Sequence, residues 1–154
     1  MTTEHIATRL ALRELVDTYA LAVDKRDGAL FAGLFTADAS LDIYEVGQDQ
    51  PALTYQGTQE IHSVVDLVAQ FACTFHVVAN HLVDVTGEGK ATGSTYCLAH
   101  HLDQTESRDT LMLICYLDDY LLEDGVWRFA RRRVMRQWND TLAADRLPLV
   151  ANQG

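Results

Sequence analysis

The stretch YLDDYLLEDGVWRFARRRV, Tyr116 to Val134, reads as two strands joined by a tight turn. Its centre, EDGV, carries the Asp-Gly pair that tolerates the positive φ angles of a short hairpin. The strands on either side span about Asp109–Leu122 and Val126–Trp138. Further strands precede them, at about Thr74–Val85 and Lys90–Asp103. TGEGK joins the first two and supplies the same turn chemistry, and QTESR is a short polar loop. Four long strands with short connections make an antiparallel meander.

The first half of the chain has a different period. From about Thr3 to Lys25, residues Ile6, Leu10, Leu12, Leu15, Val16, Tyr19, Ala20 and Val23 form a broad apolar stripe at helical spacing. DGALFAGLF predicts a shorter helix, with Asp27 as N-cap and Leu30, Phe31, Leu34 and Phe35 buried. ADASLDIYEV alternates as a strand, GQDQPALTYQG reads as a loop, and Thr58–Phe71 predicts a third helix. The expected fold is α+β: a curved antiparallel sheet with three N-terminal helices against one face. Such a sheet, with helices on one face, encloses a pocket suited to a small molecule.

The totals fit one domain. The chain has 154 residues, 48% of them hydrophobic, enough to bury a substantial core. A formal net charge of -10 repels phosphate backbones and anionic lipid, so neither nucleic acid nor membrane is an expected partner. Cys73, Cys97 and Cys115 are odd in number, sit in apolar stretches and have no ligand-like spacing, which predicts reduced thiols. MTTEHIATRL has no basic region followed by an apolar one, so a cytoplasmic protein is expected. No Gly-rich phosphate loop, Ser-centred nucleophile elbow or Cys-rich metal site is visible.

Several polar residues break the apolar pattern. Asp24 lies in one row with Ala20 and Val16, on the inward stripe of the first helix. It is either a solvent-facing acid at the helix end or a carboxylate aimed into the core. In CTFHVVANHLVDV, strand alternation puts His76, Val78, Asn80 and Leu82 on one face and Val77, Ala79, His81 and Val83 on the other. Both faces are mostly apolar, so this strand is expected to be central. A carboxylate such as Asp24 on one nitrogen of His76 would fix its tautomer and make the other nitrogen a base near neutral pH. In STYCLAHHLD, Tyr96, Leu98 and His100 share one face and Cys97, Ala99 and His101 the other, so one histidine at most faces a pocket; either Tyr96 and His100 line it together or the two histidines sit at a strand end near solvent. His76, His100 and Asp24 are also the residue types of a two-histidine, one-carboxylate metal site, but their spacing is generic and no metal is assigned. Arg128, Arg132 and Arg136 share one strand face and Arg131 and Arg133 the other; most are expected to pair with surface acids, and one could enter the cavity to hold an anion, a carbonyl oxygen or the carboxylate of Asp24.

The order helix, helix, strand, helix, meander, with YALAVDKRD, FHVVAN and YLDDYLLEDGVWRFARRRV, resembles the SnoaL-like branch of the nuclear-transport-factor-two-like superfamily over about Leu10 to Trp138. The resemblance implies a cystatin-like, cone-shaped α+β barrel with a deep apolar pocket, acting without metal or organic cofactor. In its dehydratase-like and dehydrochlorinase-like members, an aspartate ending the first helix orients a histidine that removes a proton. Asp24 and His76 match those positions. Tyr19 matches a tyrosine of the bile acid dehydratase type, His100 a second histidine of the scytalone dehydratase type, and Arg132 an arginine that follows the last turn.

The resemblance therefore implies a lyase or dehydratase acting on a cyclic, apolar, aromatic or steroid-like small molecule. The catalytic set it gives is Asp24, His76, Tyr19, His100 and Arg132. The pocket residues expected with it are Tyr96, Leu98, Val16, Phe35 and Phe71, together with Leu34 and Val65. A ketosteroid-isomerase-like isomerase, a polyketide cyclase, a ligand-binding module and a dioxygenase β-subunit share the fold and stay open. The dehydrochlorinase type has no histidine at the His100 position, and the ketosteroid isomerase type uses another aspartate as base. Relatives also imply a homotrimer or homodimer formed through the outer sheet face. The C-terminal TLAADRLPLVANQG is a candidate pocket closure or contact to a neighbour.

Overall fold

The computed structural model describes residues 3–103 and 105–144. The part of the C-terminal segment beyond residue 144, expected to close the pocket or to contact a neighbour, lies outside them. Helix α1 spans Thr3–Lys25 and α2 spans Gly28–Gly33. Strand β1 is Phe35–Tyr44 and β2 is Leu53–Gln56. Helix α3, Gly57–His62, runs into a 3-10 segment, Ser63–Val68. The meander follows as β3 Cys73–Gly87, β4 Lys90–Asp103, β5 Arg108–Glu123 and β6 Val126–Ala143.

The six strands form one mixed sheet in the order β2-β1-β6-β5-β4-β3. The hairpins of the meander pair as the turn chemistry predicts. In the last one Glu123 pairs with Val126, and both Asp124 (φ 51) and Gly125 (φ 79) take the positive angles a two-residue turn demands. The fold is α+β, with two corrections to the expected sheet. First, β1 runs parallel to β6, with Leu41 opposite Arg132 and Ile43 opposite Val134, so the sheet is not purely antiparallel. Second, among the described residues β2 and β3 form the two edges of the sheet and do not pair with each other, so the barrel is open there.

Other departures are local. The expected loop contains β2, which pairs with β1 through Leu53 to Gln56. Its side chains are mostly exposed, so it carries no alternation; only backbone pairing defines it. The third helix tightens into a 3-10 segment where Val64 and Val65 are adjacent and both buried. A three-residue repeat stacks Val65 with Val68 and Ile61 with Val64, and β-branched residues lose little by leaving the α conformation. Phe35 starts β1 opposite Phe129 rather than ending α2.

β3 is an edge strand, not a central one. Its free carbonyls are taken by the first helix: Arg13 donates to Ala79 and Val78 (3.0 and 3.3 Å), and Arg9 donates to Val83 (3.3 Å). A bulge between Val78 and His81 shifts the strand's phase. Before it His76 and Val78 face the helices; after it His81 and Val83 do, while Phe75, Val77 and Leu82 are exposed.

The core lies between the helices and one sheet face. Leu12, Leu15, Val16 and Val23 of α1 pack there, with an aromatic group that includes Tyr19, Phe31, Phe35 and Phe129 (ring centres of the contacting pairs 4.9 to 6.3 Å apart). All three cysteines are free thiols. No described helix is long and apolar enough to cross a membrane.

Candidate active site

α1 ends in a tight cap. Arg26 takes a left-handed backbone (φ 55), its N–H donates to Val23 (3.0 Å), and the Asp27 N–H donates to Ala22 (2.9 Å). This pair of bonds is the Schellman arrangement, in which glycine is the usual residue. Arg26 occupies it because its side chain is anchored. Its guanidinium donates to the carbonyls of Asp24 (3.2 Å), Val68 (3.3 Å) and Phe71 (2.8 Å). The end of α1 is thereby tied to the end of the 3-10 segment, and Asp24 sits in that last turn.

The Asp24 carboxylate accepts three hydrogen bonds from the start of β3. The Thr74 hydroxyl donates to Oδ1 (2.9 Å), the His76 backbone N–H donates to Oδ2 (3.0 Å), and His76 Nδ1 donates to Oδ1 (2.6 Å). Burial alone would raise the Asp24 pKa, but the His76 ring and backbone bonds outweigh it and hold the carboxyl below its ordinary value of 3.8. An ionised carboxylate only accepts, so Nδ1 of His76 carries a proton and Nε2 is the ring nitrogen that Asp24 leaves unused. The His76 side chain is 6% exposed and lines a cavity of about 220 Å³.

That cavity is bounded by α1, the 3-10 segment and the inner sheet face. Its apolar wall includes Val23, Leu41, Val64, Phe71, Met112 and Ile114. Its polar groups are His76, His101, Tyr19, Tyr116, Gln70 and Arg136. Tyr19 is buried, and burial pushes its phenol up to about 12 against the pull of Arg132, so it stays a hydrogen-bond donor.

Several expected site residues lie elsewhere. β4 pairs His76 with Ala99 and Phe75 with His100, so Ala99 and His101 face the cavity side and His100 faces out. Tyr96, at 55% exposed, Leu98 and His100 are therefore corrected to the outer face. His100 has its own acid, Asp109 (2.6 Å). With His100 turned away, His76, His100 and Asp24 do not converge on one point.

His101 is the histidine the sequence reading missed. Its Nδ1 meets the carbonyls of Ala99 (3.1 Å) and Thr110 (3.3 Å), so Nδ1 is protonated and Nε2 is the free nitrogen. Burial, then the neighbouring His76, lower its pKa and keep the ring neutral. Its ring centre is 5.6 Å from that of His76. The sequence signal was present, because His101 alternates with the apolar Cys97 and Ala99.

Val16 and Phe35 are buried in the core rather than on the cavity wall, whereas Phe71 lines it. Arg132 is wholly buried behind the cavity. It makes a two-pronged bond to Asp118 (both 2.8 Å), and the rings of Tyr19, Tyr116 and Phe129 lie 4.0 to 4.2 Å from its guanidinium. It touches the cavity only through those tyrosines. The arginine that lines it is Arg136.

The profile of the SnoaL-like domain matches residues 4–133. The chain belongs to the SnoaL-like family. Among relatives of this SnoaL-like protein, gamma-hexachlorocyclohexane dehydrochlorinase of Sphingobium indicum is 25% identical over 144 residues, covering 91% of this chain and 87% of the relative. The crystal structure of LinA superposes with a TM-score of 0.80 at 24% identity, over 94% of this chain and 96% of that one. A candidate scytalone dehydratase from Novosphingobium aromaticivorans superposes with a TM-score of 0.82 at 20% identity, over the whole of both chains. At these identities the two structures establish the SnoaL-like fold.

Proposed function

We propose that this protein is a lyase that removes a proton from a cyclic, largely apolar small molecule, with His76 as the base and Asp24 as the group that orients it. The observation carrying this reading is the 2.6 Å contact between Asp24 and His76 Nδ1, which leaves Nε2 free at an apolar cavity. In the elimination, Nε2 takes a proton from carbon, the C–H electron pair becomes the new double bond, and the leaving group departs from the neighbouring carbon. Asp24 steadies the imidazolium so formed. Tyr19, held protonated, donates a hydrogen bond to the departing oxygen or halide or to an enolate oxygen. Neutral His101 accepts one from a substrate hydroxyl. The family relationship supports the reaction class: a relative named for dehydrochlorination removes hydrogen and chloride from a ring.

The experiment is product analysis over a panel of hydroxylated cyclic ketones and chlorinated cyclohexanes, with wild type, His76→Ala and Asp24→Asn. A general base contributes about 10²–10⁴-fold, so His76→Ala is expected to lose that much of kcat. Asp24→Asn is expected to lower kcat with little change in KM, because an amide lets the ring adopt the wrong tautomer. Turnover that survives His76→Ala removes His76 as the base, and a wild type that turns over no member of the panel counts against the lyase reading.

A further inference from the structure

The arginines of β6 differ in what neutralises them. Arg131 grips the buried Asp42 with two nitrogens (3.0 and 2.7 Å), and Arg132 grips the buried Asp118. Arg133 reaches Asp119 (3.3 Å) on the other face. Arg136 shares the inner face with Arg132 and Val134, opposite Ile114 of β5, but sits further along the strand, where the core gives way to the cavity. Among the described residues it is the one permanent cation lining that cavity, and no carboxylate lines it. Its partner, Glu45, lies outside the lining, is 45% exposed, and takes Nη1 (2.6 Å). The Arg136 side chain is itself only 25% exposed.

We infer that Arg136 selects substrates bearing a carboxylate, which its guanidinium binds while the ring of the substrate points down the cavity toward His76. A planar guanidinium presents several N–H donors, and a half-exposed glutamate on one of them leaves others for a ligand. In a cavity walled by valine, leucine, isoleucine and phenylalanine, that charge is poorly screened and attracts an anion more strongly than it would on the surface. The chain as a whole, at -10, repels anions, so recognition of an acid has to be local. This inference rests on the lyase reading for the cavity's use and adds the chemical class of its occupant: a ring carrying an acid group.

The test is binding, and it is independent of turnover. Affinities of 2-naphthoate and of its neutral counterpart 2-naphthamide are measured by titration calorimetry for wild type, Arg136→Leu, Glu45→Gln and His76→Gln. Wild type is expected to prefer the acid by about tenfold or more, the size of one charge-assisted hydrogen bond. Arg136→Leu is expected to abolish the preference while still binding the amide, which also reports that it folds. Glu45→Gln, which removes the competing carboxylate, is expected to strengthen naphthoate binding, and His76→Gln to keep the preference. Equal affinities in wild type, no binding of naphthoate, or a preference that survives Arg136→Leu each overturn the inference. Loss of turnover in the His76 variants speaks only to the base, so the two readings fail separately.

Discussion

At Arg26 backbone and side chain act in opposite directions. The left-handed φ costs a non-glycine residue about 1–2 kcal/mol, whereas three carbonyl acceptors hold the guanidinium beside the cavity. Arg26→Ala keeps the strain and loses the bonds, and is expected to cost about 1–3 kcal/mol in urea denaturation. Arg26→Gly loses the same bonds but relieves the strain, and is expected to be the milder change. Equal losses would mean that the cap carries no strain. The sequence shows none of this, because a positive φ at an arginine has no local signature. Neighbouring histidines pose the same difficulty in another form. Alternation separates His100 from His101 onto opposite faces, but only the pairing of β4 with β3 decides which face is inside.

Among the elements, β5 and β6 carry the strongest internal tie. Asp118 and Arg132 are both fully buried and joined by two bonds of 2.8 Å. Asp118→Asn leaves a buried guanidinium without its counter-charge, and a loss of about 3–5 kcal/mol in chemical denaturation is expected. The paired change Asp118→Leu with Arg132→Met is expected to cost much less, since it removes both charges together. The hairpins themselves were legible because Asp-Gly and Glu-Gly turns act within four residues. β2 was not legible, since an exposed edge strand has no buried face to alternate. The bulge in β3 was not legible either, and it inverts the facing of every residue after Ala79.

Across the whole molecule, acid acts on stability through several groups with one sign. Asp24 is held below its ordinary 3.8, so its contribution is present above that value and lost as pH falls through the lower folded-state value. His101 and His81 are both held below the ordinary 6.5, chiefly by burial. For them the unfolded chain takes up protons first, so folded stability begins to fall once pH drops below about 6.5. Denaturation midpoints at pH 7.5 and pH 5 are expected to show this loss. His101→Asn keeps an N–H for the carbonyls and removes the titration, so it is expected to flatten the profile. A pH-independent midpoint over that range would contradict the burial of both rings as neutral groups.

By itself the sequence determined the α+β order, the meander and its turns, and the family, because these depend on local period, on turn chemistry and on motifs that survive in one dimension. It also named Asp24 and His76. Their approach follows from the place where α1 stops and β3 begins, which the helix cap and the strand start both mark. The tertiary structure decided the rest: the parallel β1–β6 pairing, the edge position of β3, the inward turn of His101, and the exchange of Arg132 for Arg136 at the cavity. The physical reason is the same each time. A strand's alternation defines two faces and a line of residues, but which face is buried, and how far along that line the core ends and the cavity begins, depend on what the rest of the chain packs against it.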